Sequence, residues 1–218
     1  MTRIYMIRHG KAAAGWDGDA DPCLNELGQA QAEAVSKKVQ ALVASPVPIY
    51  SSPLKRCQET AAPLAAAWGV APQIEAGVGE IPPPLEDLTA RTNWLRRVMT
   101  GTWEGLYSDP VSVESGVDFR RWNENVVSTL NALKGHAVVI FSHFVALNAA
   151  YCAATGAADV VSFAPENCSL SIFDTDGTSL SLVTQGDETK DLKIALGKGR
   201  NSISPSALGV HLFPAFSP

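Results

Sequence analysis

The stretch Ile4-Tyr5-Met6-Ile7-Arg8-His9-Gly10 decides how the rest of the chain reads. Four apolar residues in succession are the pattern of a short buried strand, and Gly10 permits the sharp backbone turn that ends it. Open α/β sheets place their chemistry just beyond such strand ends. An imidazole held there beside a guanidinium suits phosphate, because arginine presents a planar fork of donors matched to phosphate oxygens. A structural histidine at a strand end would look the same in isolation. The decision rests on what else reaches that edge.

Strand-like and helix-like segments alternate downstream, which predicts an α/β fold with a largely parallel sheet. A Gly/Asp-rich loop over 15–22 leads to a helix over 26–44, stopped before Pro46, and then to a short strand over 47–50. Pro53 suits the first turn of a second helix, which runs to Trp68 and ends at Gly69. A third strand is expected over 73–75. Ile81-Pro82-Pro83-Pro84 cannot be helix interior, since the prolines lack donors and fix φ. Residues 85–115 are expected to form a helix plus a loop over the site. Within and after that segment, Trp94, Trp103, Tyr107 and Trp122 read mainly as core aromatics, although they could line a pocket.

An amphipathic helix over 119–133 precedes the strongest central strand, 137–141, and a helix over 144–154 follows. Strands over 169–174 and 179–183, turned by Asp176-Gly177, form an antiparallel hairpin. Asn167, just before it, reads as a cap or a ligand contact, with capping favoured. The tail 190–218, rich in Gly, Ser and Pro, reads as an extended or partly disordered arm. Neither an internal repeat nor a second domain is evident, so residues 1–218 are expected to form one domain.

With 218 residues and 46% hydrophobic content, the chain can bury one substantial core. A net charge of -5 offers no general attraction for nucleic acid or an anionic membrane, so any bound anion needs a local cationic cluster. Cys23, Cys57, Cys152 and Cys168 lie far apart without a C-x-x-C pair, and read as mostly buried thiols of a reducing cytoplasm. Arg3 and Arg8 bracket only four apolar residues, unlike a signal peptide. No apolar stretch approaches the roughly 18 residues of a membrane helix. A soluble, cytoplasmic protein is expected; a homodimer is compatible with the sequence but not specified by it.

The pattern of the opening stretch recurs. Ser142-His143 follows the strand over 137–141 at the start of a helix, where the amides of Phe144 and Val145 are expected to be unpaired donors suited to an anion. A capping Ser142 beside an incidental His143 would account for one such junction, but not for two. A third junction carries Ser51, Ser52 and, one turn into its helix, Arg56. Parallel strand ends share one sheet edge, so Arg8, His9, Arg56 and His143 can converge there.

Four segments carry a resemblance: Ile7-Arg8-His9-Gly10, Leu24-Asn25-Glu26-Leu27-Gly28-Gln29-Ala30-Gln31-Ala32, Ser51-Ser52-Pro53-Leu54-Lys55-Arg56-Cys57-Gln58-Glu59-Thr60-Ala61 and Val138-Val139-Ile140-Phe141-Ser142-His143. In this order they resemble the histidine phosphatase superfamily, also called phosphoglycerate-mutase-like. The resemblance implies a three-layer α/β/α sandwich around a mostly parallel sheet. It implies that His9 is the phosphorylated nucleophile, and that Arg8, Arg56 and His143, with the start of the helix at Phe144, hold the phosphate. It also implies an acid/base glutamate, for which Glu80, just before the rigid proline loop, is the candidate. Glu75, Glu86 and Glu104 read as surface carboxylates.

The implied chemistry is consistent with the residue types. Neutral imidazole is nucleophilic, and nearby guanidiniums disfavour its protonated form. Charge spread over three phosphoryl oxygens is stabilised by the same cations, so neither a metal nor a cofactor is expected. A departing alkoxide needs a proton, and a carboxyl facing phosphate is expected to have its pKa raised by like charge.

Departures from the family pattern are also visible. Where many members carry a Trp-Asn pair after the nucleophile, this chain has Trp16-Asp17; Lys11 is an electrostatic substitute. Trp103-Glu104-Gly105 resembles a family motif but lies too far beyond Glu80, and Phe144 stands where a small residue is usual. The expected activity is hydrolysis of a small phosphorylated metabolite. A mutase is the alternative, disfavoured because it would need more cationic groups than the sequence assigns. A phosphohistidine protein phosphatase and a non-enzymatic phosphate-binding module are further alternatives.

Overall fold

The structure, a computed structural model, describes residues 1–15 and 19–189. Strand β1 (Thr2–Arg8) leads to helix α1 (Glu26–Leu42), strand β2 (Ile49–Ser51), helix α2 (Lys55–Trp68) and strand β3 (Gln73–Ile74). A 3-10 turn at Ala76–Val78 precedes helices α3 (Leu88–Val98), α4 (Trp103–Ser108) and α5 (Pro110–Glu114). Helix α6 (Phe119–Ala132), strand β4 (Ala137–Ser142), helix α7 (Phe144–Thr155) and the hairpin of β5 (Leu170–Thr175) and β6 (Leu180–Thr184) follow.

The strands form one sheet in the order β3-β2-β4-β1-β5-β6. Pairs β1/β4, β2/β4 and β2/β3 are parallel, while β1/β5 and β5/β6 are antiparallel. All six residues of β4 are buried, as a central strand covered on both faces requires. Side chains alternate between those faces. Ile4, Met6, Val138 and Ile140 join a core with Trp94, Val126, Leu130 and Leu147 from α3, α6 and α7. Ile7, Val139 and Phe141 join another with Val35, Val39, Ala61 and Leu64 from α1 and α2. The architecture is therefore a three-layer α/β/α sandwich on a mostly parallel sheet.

Local chemistry sets the boundaries. The Asn25 side chain accepts from the Gly28 amide at 2.8 Å and opens α1, which stops at Leu42, two residues before the expected end. Pro53 lies before the Leu54 cap of α2 and is not in its first turn. Strand β2 sits one to two residues later than expected and ends at Ser51.

Residues 85–115 hold three helices where one helix and a loop were expected. Asp87, Thr102 and Asp109 each accept from amides of the following turn, and these three caps divide the segment. The aromatics pack as expected: Trp94 against Phe119, with its indole N–H on Ser112 Oγ at 3.0 Å, and Trp103 against Trp122 and Tyr107. The expected arm over 190–218 and the Trp16-Asp17 pair lie outside the described residues. No helix among the described residues is long and apolar enough to cross a membrane.

Candidate active site

Three strand-to-helix junctions meet at one sheet edge. β1 delivers Arg8 and, directly after it, His9. Arg56 is the second residue of α2, and His143 caps α7 after β4. All four side chains are buried, with relative exposures of 8% or less. Gly10 turns the chain against α1, and a Cβ there would stand 2.6 Å from the Gly28 carbonyl oxygen. Its amide donates to Thr60 Oγ1 at 3.0 Å, which ties the turn to α2.

The hydrogen bonds determine the tautomer of each imidazole. His9 Nδ1 lies 2.7 Å from the Gly10 carbonyl, which can only accept, so Nδ1 carries the proton. Nε2 is then a lone pair, and Arg56 Nε donates to it at 3.2 Å. Burial, then Arg56 and Arg8, holds the His9 pKa well below its usual range. His143 takes the opposite tautomer. Arg56 Nη2 faces its Nδ1 at 3.3 Å, and its Nε2–H donates to Ser52 Oγ at 2.7 Å. Burial, His9 and the two arginines keep it neutral as well. The Arg56 guanidinium thus bridges two imidazoles whose centroids lie 5.2 Å apart.

Arg8 donates through Nη1 to the Pro165 carbonyl at 2.8 Å, and its guanidinium carbon lies 5.1 Å from the centroid of the Phe144 ring. Burial lowers its pKa to about 10, which still leaves it cationic at neutral pH. Phe144 is thus buried against the cluster as an aromatic wall. The Val145 amide, expected to be an unpaired anion donor, instead donates to Glu80 Oε1 at 3.2 Å.

Glu80 completes the group. The Ser142 hydroxyl donates to the Val78 carbonyl at 2.7 Å, tying the 3-10 segment to the end of β4 and bringing Glu80 over the start of α7. Glu80 Oε1 also accepts from the Ile81 amide at 3.0 Å, which leaves Oε2 to carry a proton. Its pKa is raised because burial outweighs the Ile81 amide, Arg56, Arg8 and the Val145 amide, all of which lower it. Within the protein itself the cause is desolvation. The other glutamates stand apart. Glu75 caps the 3-10 turn and Glu104 pairs with Arg120 at 2.8 Å on the surface. Trp103-Glu104-Gly105 therefore has no part in the pocket.

Arg8, His9, Arg56, Glu80 and Phe144 line a single cleft, with Lys11 and Asn167 at its wall. His143 lies beneath, fully buried behind Arg56. Asn167 is not a cap; its Nδ2 donates to the His9 carbonyl at 3.1 Å and braces the turn. Cys57 lies 3.3 Å from His143 Nε2, and burial pushes its thiol above the usual range. Of the cysteines, Cys57 and Cys152 are buried while Cys23 is exposed, so fewer are buried than expected. Among the described residues no cluster of three His, Cys, Asp or Glu side chains is placed to hold a metal ion.

Sequence reasoning expected a helix over the site in the segment that holds α3 but named none of its cleft-lining residues. Thr92, Leu95, Arg96 and Met99 line the cleft from one helical face, with Arg91 beside them. Their i, i+3, i+4, i+7 spacing was the available signal.

The fold and the strand-end cluster define an α/β protein suited to holding a tetrahedral oxyanion. The profile of the histidine phosphatase superfamily (branch 1) matches residues 4–188, and the chain belongs to that superfamily. It is 28% identical over 200 residues to phosphoserine phosphatase 1 of Hydrogenobacter thermophilus, spanning 79% of this chain and 86% of the relative. A phosphoserine phosphatase mutant from Entamoeba histolytica, solved with phosphoserine, superposes with a TM-score of 0.68 at 19% identity, covering 86% of this chain and 98% of that one. A mycobacterial glucosyl-3-phosphoglycerate phosphatase superposes with a TM-score of 0.54 at 20% identity, over 86% and 99% of the two chains. At these identities the two solved structures speak to the fold.

Proposed function

We propose that this protein is a metal-independent phosphomonoesterase that hydrolyses a small phosphorylated metabolite through a phosphohistidine on His9. Membership of the superfamily and the likeness to a phosphoserine phosphatase support a phosphohydrolase. The observation that carries the mechanism is the His9 tautomer. Its Nε2 lone pair is held neutral and oriented, beside the Arg56 guanidinium, in a cleft that also exposes Arg8 and Glu80.

In the first step, Arg56 Nε moves its hydrogen bond from His9 Nε2 to a phosphoryl oxygen, the freed Nε2 lone pair attacks phosphorus and the ester P–O bond breaks. Arg8 and Arg56 hold the phosphate and stabilise charge on the phosphoryl oxygens, with His143 behind Arg56 to position its guanidinium. The Glu80 carboxyl gives its proton to the leaving oxygen. In the second step, the Glu80 carboxylate takes a proton from water, the water oxygen attacks phosphorus, the P–N bond breaks and inorganic phosphate departs. Phe144 contributes to the phosphate site as the aromatic wall behind Arg8.

A mutase is the second reading, and one observation favours it. Lys11, Arg91 and Arg96 also line the cleft, so the shortage of cations expected from sequence does not hold. Free phosphate released from the esters carried by the structural neighbours, phosphoserine and 3-phosphoglycerate, supports the phosphatase; a stoichiometric return of phosphate to a second hydroxyl supports the mutase. A cytoplasmic setting belongs to the proposal, and the four unpaired cysteines support it.

The deciding experiment is rapid quench with radiolabelled p-nitrophenyl phosphate. Wild type should trap an acid-labile, base-stable phosphoenzyme and turn over undiminished in chelator. His9→Ala, folded by circular dichroism, should do neither. Phosphate release by His9→Ala at the wild-type rate would refute the mechanism.

A further inference from the structure

We infer that the cleft contains a second anion subsite on the face of α3, built from Thr92 and Arg96 beside Arg91. It takes a carboxylate or second phosphate carried by the same substrate. The inference rests on reading the His9 cluster as the site of the scissile phosphate.

Helix α3 turns one face to the cleft. Thr92, Leu95, Arg96 and Met99 follow the i, i+3, i+4, i+7 pattern of a single helical stripe, and all four line the cavity. Two of them are apolar and join the core, so they hold the helix in place. The other two end in polar groups with nothing to bind. Thr92 is 4% exposed, and its buried Oγ1 has no hydrogen-bond partner among the described residues. Arg96 Nε and Nη2 are likewise buried without a hydrogen-bond partner there. Buried polar atoms are costly when unpaired, and a guanidinium most of all. On side chains that line a cleft, they mark where a ligand supplies the missing acceptors.

The charge of the cleft points to the same ligand. Among the described residues, five cationic side chains line it, Arg8, Lys11, Arg56, Arg91 and Arg96, with the carboxyls of Asp19 and Glu80. Arg8 and Arg56 serve the scissile phosphate, and burial favours the neutral acid form of Glu80. Lys11 and Arg96 therefore exceed what one phosphomonoester requires. A second anionic group uses them, accepting from the Thr92 hydroxyl and the Arg96 fork. Leu95 and Met99, on the same face of the helix, give the cleft an apolar surface against which a carbon skeleton can lie.

The test is binding, which needs no turnover. In the His9→Ala protein, calorimetry compares 3-phosphoglycerate with glycerol 3-phosphate, a pair that differs by a carboxylate. It also compares fructose 1,6-bisphosphate with fructose 6-phosphate, a pair that differs by a phosphate. At least one doubly anionic member should bind about tenfold tighter or more than its partner, the effect of one charged hydrogen-bonding pair. The pair that shows it identifies the second group. Adding Arg96→Gln should reduce that preference to within about threefold, and Thr92→Val should reduce it in the same direction. No preference in either pair, or a preference that survives Arg96→Gln, overturns the subsite. If wild type fails to hydrolyse p-nitrophenyl phosphate, the phosphatase reading fails while the binding preference is still decided.

Discussion

The guanidinium of Arg56 meets two imidazoles at once. Its Nε and Nη2 point to His9 Nε2 and His143 Nδ1, so neither ring can take a proton on that face without facing a cation. In the proposed reaction a phosphate takes the place of the ring nitrogens as acceptor for these donors. Arg56→Ala should therefore weaken inhibition by inorganic phosphate or vanadate by about tenfold or more, as expected for the loss of charged hydrogen bonds worth ~1.5–3 kcal/mol. Arg56→Lys should recover only part of this, since an ammonium cannot span both rings. Full recovery by lysine would show that charge alone matters.

At the level of elements, the 3-10 segment and the start of α7 act together on Glu80. The Val145 and Ile81 amides hold one carboxyl oxygen, while burial raises the pKa and so favours the acid form. Glu80→Gln retains an acceptor for those amides but has no proton to give. It should slow alkyl phosphates far more than p-nitrophenyl phosphate, whose leaving group departs unprotonated. Equal slowing of both would remove Glu80 from the acid role.

The contact between α1 and the nucleophile turn is equally demanding. A Cβ at Gly28 would overlap the Lys11 backbone, with no flexible side chain to move aside. Gly28→Ala should lower unfolding stability in urea by about 1–3 kcal/mol, the usual cost of overpacking a tight contact. Activity should fall with it, because the displaced turn carries His9. A variant as stable and active as wild type would mean the turn is free to shift.

The whole molecule carries the cost of two histidines held neutral. Both have folded pKa values well below 6.5, whereas the unfolded chain protonates near 6.5. Below that pH the unfolded state binds more protons, so stability is present above 6.5 and is lost as pH falls through the window beneath it. Each histidine contributes at most about 1.4 kcal/mol per pH unit there. Urea unfolding should thus show a less stable protein at pH 5.5 than at pH 7.5, with a shallower decline for His9→Asn. Unchanged stability across that range would mean the rings protonate within the fold.

The same scale explains what could be read before any coordinates. Apolar runs, the turn at Gly10 and the capping residues act within a few positions, so β1, β4, α6 and the strand-end placement of His9 and His143 were legible. Superfamily order added Arg56 and Glu80. The three helices of 85–115 were not foreseen, although their caps were written at Asp87, Thr102 and Asp109. Dielectric and pairing act across the fold. Arg56 lies 47 residues from His9 and 87 from His143, and no local rule encodes the tautomers their contact imposes. The acidity of Glu80, the capture of the Val145 amide and the α3 wall likewise arise only once separate layers close around one cleft.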